Sequence, residues 1–152
     1  MRSTIALLCL ALSAPLAAQT KQDYPGVTNF TRVDATVACG GATEVSTLDA
    51  LKKDGFKTVI NLRVATEPGV NITENQARAK ALGLNYVHIP FSGGSPDPKV
   101  IDSFLATIAD KTNQPVFVHC SSANRAGSVC LAKRAPQDNY SAEKPPPQAK
   151  PI

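Results

Sequence analysis

The amino-acid sequence predicts an α/β fold: a mostly parallel central sheet of about four strands flanked by helices. Three observations carry this expectation. Short β-branched, apolar runs alternate with amphipathic stretches of helical period, the pattern of strand–helix–strand units. Glycines stand where two of those helices should stop, at Gly55 and Gly83. The most continuous apolar run, Val116 to Val118, leads at once into a tight loop from Cys120 to Arg125 and then a helix.

The elements follow in order. Residues 19–32 are mostly polar, carry the turn signal Tyr24-Pro25-Gly26, and read as a lead-in segment. The domain proper is expected over 33–135. Val33 to Cys39 has the β-branched content of a strand and ends at Gly40-Gly41. Thr43 is placed as the N-cap of a first helix, with Val45, Leu48 and Leu51 on one face. Phe56 to Leu62 is a second, largely buried strand, followed by a loop from Arg63 to Asn71 that carries Glu67-Pro68-Gly69. A second helix is expected from about Thr73 to Leu82, and a third strand over Asn85 to Phe91. After the loop Ser92 to Pro96, Asp97-Pro98 opens a third helix as N-cap and first helical residue. Its apolar face is Val100, Ile101, Phe104, Leu105 and Ile108. The central strand, the Cys120 loop and a helix from Ala126 to about Ala135 complete the domain. Residues 136–152 include Pro145, Pro146, Pro147 and Pro151, which forbid a continuous helix, so they read as an irregular, Pro-rich tail, truncated or degraded where a domain of this type would normally close with a helix.

Met1 to Ala18 has one basic residue, an apolar stretch and small residues before Gln19. That is the layout of a secretory signal peptide cleaved after Ala18, and the apolar stretch is too short to span a bilayer. The expectation is a secreted or periplasmic protein with no stable membrane insertion after cleavage. The whole chain carries 16 Lys and Arg against 12 Asp and Glu, a net charge of +4. The basic excess forms no stripe, and aromatic residues make up 5% of the chain, so nucleic-acid binding is excluded as a reading. A small anionic or phosphorylated substrate suits the balance better. Beyond the leader the cysteines are Cys39, Cys120 and Cys130, an odd number that leaves at least one thiol unpaired. Cys39 could pair with either of the others. No cysteine pair has zinc-ligand spacing and His88 stands far from His119, so neither a metal nor another cofactor is expected.

Chemistry concentrates in Val118-His-Cys-Ser-Ser-Ala-Asn-Arg125. A helix N-terminus leaves backbone N–H groups without intrahelical acceptors and presents the positive end of the helix dipole, so an anion can settle there. The same field favours Cys120 as a nucleophilic thiolate, and Arg125 can grip two oxygens of a tetrahedral anion. In open α/β sheets ligands bind beyond the C-terminal strand ends, where Cys120, Cys39, Arg63 and the Ser92 to Pro96 loop all fall. Arg63 would there extend the anion site or form a surface charge, and His88 is read as a strand residue.

Gly55-Phe-Lys-Thr-Val-Ile-Asn-Leu-Arg63, the strand end His88-Ile-Pro-Phe91 and the His-Cys…Arg loop resemble the dual-specificity-phosphatase-like superfamily. The greatest similarity is to the phosphatase-like domain of bacterial β-lactamase-hydrolase-like proteins, over about Val33 to Ala135. The resemblance implies that Cys120 is a nucleophile forming a covalent thiophosphate and that Arg125 binds the oxyanion. It also implies that the backbone of Ser121, Ser122, Ala123, Asn124 and Arg125 lines the anion cradle, with His119 supporting the loop from behind. Two departures stand out. The loop is one residue shorter than the superfamily's usual one, and Ala126 replaces the usual hydroxyl residue after the Arg, for which Ser121, Ser122 or Ser128 could substitute. The short loop also resembles rhodanese-type sulfurtransferases, in which the Cys carries a persulfide. A phosphatase needs a general acid; Asp97 is the nearest carboxylate after Phe91 and is the candidate, although it also suits the N-cap role. Glu67 is a rival and Asp102 a weaker one. The reading is therefore a cysteine-dependent phosphatase, with a sulfurtransferase or a catalytically inactive anion-binding domain as the alternatives.

Overall fold

A computed structural model describes residues 20–93 and 96–134; the leader and the Pro-rich tail lie outside them. The sheet has six strands in the order β1-β2-β3-β6-β4-β5. They are β1 Thr20–Lys21, β2 Thr31–Arg32, β3 Val37–Gly40, β4 Thr58–Asn61, β5 Asn85–His88 and β6 Val116–His119. The helices are α1 Thr47–Lys53, α2 Ile72–Ala81, α3 Pro98–Ala109 and α4 Asn124–Arg134, with a short 3₁₀ turn at Lys111–Asn113. The four strands from β3 to β5 pair in parallel, whereas β1 and β2 extend the sheet antiparallel. The expected parallel core is present, and the two added strands come from the segment expected as a lead-in.

That segment is anchored by apolar side chains. Phe30 is 1% exposed and stacks between Tyr24, at a centroid distance of 4.5 Å, and Phe117, at 5.8 Å. Val27 is buried beside it. Tyr24, Val27 and Phe30 look isolated among polar neighbours along the chain, but they fill one side of the sheet together.

Strand alternation divides the core into two layers. Val37, Cys39, Ile60, Val116, Val118 and Cys120 point to the layer covered by α3 and α4, with Phe104, Ile108, Ala126, Val129 and Cys130. Ala38, Val59 and Phe117 point to the other, with Leu48 and Leu51 of α1, Ala79 of α2, Phe56 and Phe30. Buried aliphatic and aromatic side chains of this kind each contribute about 1.5–3 kcal/mol. Among the described residues no helix is long and apolar enough to cross a membrane.

Helix boundaries follow local capping, with one correction. Gly55 and Gly83 have φ of +85° and +65°, the left-handed backbone expected just past a helix end. Asp97 caps α3, accepting a hydrogen bond from the Lys99 amide at 2.6 Å, and Pro98 is the first helical residue. Thr43 does not cap α1: its hydroxyl donates to the Gly41 carbonyl at 3.0 Å, and the helix starts four residues later. The Thr47 hydroxyl instead donates to the Gly26 carbonyl at 3.2 Å, tying that start to the lead-in turn. Asn71 caps α2 through the Glu74 amide at 3.1 Å. The strand expected from Val33 begins only at Val37, because the Asp34 carboxylate collects the Thr36 and Val37 amides into a turn.

Candidate active site

β6 lies between β3 and β4, with His119 opposite Gly40 on one side and Asn61 on the other. All three strands therefore end together, and the loops leaving them meet. The Cys120 amide still bonds back to the Gly40 carbonyl at 3.2 Å. The chain then leaves the sheet: the Ser121 carbonyl accepts from the Ala42 amide at 2.7 Å, and the Ser122 carbonyl from Asn29 Nδ2 at 3.4 Å. Ala123 has φ of +78° and is fully buried, and α4 begins at the next residue. A left-handed residue just before a helix turns successive N–H groups to one side, the geometry of an anion-binding nest. Among the described residues no acceptor meets the amides of Ser121, Ser122 or Ala123.

Cys120 is fully buried in the α3/α4 layer. Arg125, from the first turn of α4, is mostly buried beside the loop, and its charge is favoured by the neighbouring Cys120. Its guanidinium is already engaged on one edge. Nη1 donates to Glu67 Oε1 at 2.7 Å and to the Phe91 carbonyl at 2.8 Å. Nη2 donates to Glu67 Oε2 at 2.8 Å and to Ser121 Oγ at 3.3 Å. Nε meets no oxygen acceptor among the described residues. Glu67 also receives Arg63 Nε at 3.2 Å and the Val64 amide at 3.0 Å. Arg63 Nη2 reaches the Pro68 carbonyl at 2.6 Å. Arg63 is 8% exposed, so it is no surface charge. The hydrogen bonds from Arg125, with those from Val64 and Arg63, bring the Glu67 carboxyl from 4.5 down to about 2. The same contact raises the Arg125 pKa further.

The remaining predicted residues separate by location. His119 is buried on the opposite side of the sheet from Cys120, flat against Phe117 at 5.9 Å and an interplanar angle of 4°. Burial, with repulsion from Arg63 and Arg125, lowers its pKa from 6.5 to about 4, so the ring is neutral. Its Nδ1 has no hydrogen-bond partner among the described residues. Asn124 starts α4, and Ser121 keeps its hydroxyl at Arg125, whereas Ser128 turns its own to the Arg125 carbonyl at 2.8 Å. Asp97 is exposed at the head of α3, bonded to the Lys99 amide. His88 Nε2 lies 2.8 Å from the Arg63 carbonyl oxygen. Cys39, Cys120 and Cys130 are all free thiols, and all three lie in the α3/α4 layer of the core. Among the described residues no His, Cys, Asp and Glu cluster could hold a metal ion.

Glu67 is the residue whose weight sequence reasoning misjudged. It was one rival acid among several, and in the fold it is the carboxylate that both arginines share. The signal available was an Arg and a Glu four residues apart on a loop beyond a parallel strand. Beside this network a groove of about 580 Å³ is lined by Arg63, Pro68, Ala42, Thr43, Asn71 and Asn75, among others.

Comparison with known proteins fits this architecture. A curated relative, the β-lactamase hydrolase-like protein of Agrobacterium fabrum, is 32% identical over 97 residues, covering 62% of this chain and 22% of that protein. The chain thus spans about a fifth of that relative's length. Among solved structures, a DUF442 protein from Shewanella putrefaciens superposes with a TM-score of 0.69 at 21% identity, over 84% of this chain and 85% of that one. The catalytic core of the PP-IP phosphatase SIW14 from S. cerevisiae gives 0.62 at 20% identity, over 80% and 78% of the two chains. TpbA of P. aeruginosa gives 0.64 at 18% identity, over 84% and 75%. These structural likenesses establish a phosphatase-like fold. The PTP-NADK profile, that of the DSP-PTPase phosphatase fused to NAD+ kinase, matches residues 18–142 and takes in every strand, helix and loop described above, so the chain belongs to this family of phosphatase-like domains.

Proposed function

We propose that the domain is a cysteine-dependent phosphatase acting on phosphate monoesters through a Cys120 thiophosphate intermediate. The observation that carries this reading is the convergence of Cys120 and Arg125 at one loop and helix start, where the loop amides meet no competing acceptor among the described residues. The Cys120 sulfur attacks phosphorus, and the bond to the leaving oxygen breaks. The loop amides from Ser121 to Asn124 hold the transferred oxygens as charge develops on them. Arg125 offers the Nε side of its guanidinium, while Glu67 keeps the opposite edge oriented. His119, neutral and buried behind the loop, supports it and exchanges no proton near neutral pH. Water then attacks the thiophosphate, releasing phosphate and the thiolate. Export with cleavage after Ala18 belongs to the same reading, and N-terminal sequencing of the exported protein checks it.

The test is turnover of an aryl phosphate by protein starting at Gln19, beside its Cys120→Ser variant, under reducing conditions. Turnover that disappears in the variant is the expected result. Equal rates in the two proteins, or none in either, would overturn the proposal. Thiosulfate-dependent thiocyanate formation in the same preparation would then point to persulfide chemistry at Cys120.

A further inference from the structure

We infer that the leaving group departs as an anion without a proton from the protein, so the substrates are phosphorylated compounds whose leaving oxygen is stable when charged. Phosphoanhydrides, acyl phosphates and activated aryl phosphates have this property; simple alkyl phosphates do not. The inference rests on the phosphatase reading of the same site.

The geometry points there through Glu67. Two carboxylate oxygens provide about four acceptor positions, and four donors occupy them: Arg125 Nη1 and the Val64 amide on Oε1, Arg125 Nη2 and Arg63 Nε on Oε2. A proton could join this carboxylate only by displacing one of those donors. Glu67 therefore fixes Arg125 and has nothing to give a leaving group. Among the described residues no other carboxylate bonds to the loop: Glu44 and Glu74 line the neighbouring groove but accept from Ser46 and Asn71, and Asp102 is exposed on α3. Asp34 is held by Lys133 and Thr36, Asp49 by Arg78, Asp54 by Tyr24, and Asp97 by the Lys99 amide.

Neither imidazole supplies the proton. His119 faces the layer away from Cys120, and His88 Nε2 is set against the Arg63 carbonyl, the position of a donated N–H. The chain after Phe91, whose carbonyl holds Arg125, runs Ser92-Gly-Gly-Ser-Pro96 and contains no acid. A positioned general acid typically contributes about 10²–10⁴-fold, and a substrate that needs protonation forgoes that factor here. The step balances without one. The Cys120 thiolate forms the S–P bond, the P–O electron pair leaves on the departing oxygen, and water later supplies both protons of the released dihydrogen phosphate.

The experiment is a leaving-group series read as kcat/KM, which reports the first bond-breaking step. Substituted phenyl phosphates of similar size would run from nitrophenyl to phenyl phosphate, whose phenol has a pKa of about 10. Glycerol phosphate is the alkyl arm, and Cys120→Ser is the blank. The inference expects kcat/KM to fall by about 100-fold or more across the aryl series, with glycerol phosphate at the blank rate. Acetyl phosphate and inorganic pyrophosphate serve as separate arms, and the faster of the two identifies acyl phosphate or phosphoanhydride as the better fit. A flat series with Cys120-dependent turnover would overturn the inference and leave the phosphatase reading standing. No turnover of any member would overturn both.

Discussion

Two loops leave neighbouring parallel strands side by side, and they solve different problems. The β6–α4 loop turns into a helix within four residues, and its contribution is backbone: amides that meet no acceptor among the described residues, a left-handed Ala123 and a helix start. The β4–α2 loop runs from Leu62 to Asn71 before its helix, and its contribution is charge: Arg63 and Glu67. Arg125 follows the first loop in sequence, in the first turn of α4, and belongs to the second by hydrogen bonding. An anion site therefore need not be made by one motif. The donors are local, but the orientation of the cation is set from the loop of the neighbouring strand.

The sharpest way to break that division is Arg125→Lys. An ammonium keeps the charge but cannot bridge both Glu67 oxygens and an incoming anion at once. Loss of a donor of this kind lowers kcat by about 10²–10³-fold. Steady-state rates with an aryl phosphate check this; a loss of less than tenfold would mean that the backbone nest alone does the binding.

Acid titration compares the loops through their titrating residues. His119, on the β6 side, has a folded pKa of about 4 against 6.5. The unfolded chain takes up that proton first, so stability present above pH 6.5 declines as pH falls to about 4. Glu67, on the β4 side, has a folded pKa of about 2 against 4.5, so its stabilisation is present above 4.5 and is lost as pH falls through about 2. The His119 shift corresponds to about 3 kcal/mol; the Glu67 shift is worth less, because solvent screens that carboxylate. Thermal melts against pH should show two successive declines. Glu67→Gln should flatten the lower one and leave the upper. At neutral pH the same variant should lose about 3 kcal/mol, because two mostly buried guanidinium groups then share a neutral amide. Chemical denaturation measures that loss.

How much of this was legible beforehand follows the same division. The Cys120 loop, the α3 cap at Asp97-Pro98 and the glycine stops could be read because each depends on residues within a few positions of one another. The parallel strands could be read because buried strands are continuous apolar runs. The Arg125–Glu67 pair joins residues 58 positions apart, and no local pattern says which carboxylate a buried guanidinium will meet. The lead-in strands were missed for a related reason. Tyr24 and Phe30 are ordered by stacking on one another and by Phe30 meeting Phe117, a contact that exists only once the sheet has formed. Thr43 satisfied the composition rule for a cap, but the Gly41 carbonyl captured its hydroxyl.

The smallest predicted effect probes the backbone half of the comparison. Ala123 adopts φ of +78°, where a side chain costs roughly 1–2 kcal/mol relative to glycine. Ala123→Gly relieves that strain but removes a buried methyl group worth about 0.8 kcal/mol, and glycine also has more unfolded-state freedom to lose. The terms nearly cancel, so the change in stability should be under about 1 kcal/mol in either direction. Activity separates the two roles of the position. If the nest is held in place by its neighbours, through the Ser121 carbonyl on Ala42 and the Ser122 carbonyl on Asn29, kcat/KM should change by less than about threefold, equivalent to roughly 0.6 kcal/mol. A tenfold fall with stability unchanged would show instead that the Ala123 side chain itself keeps the amides aimed.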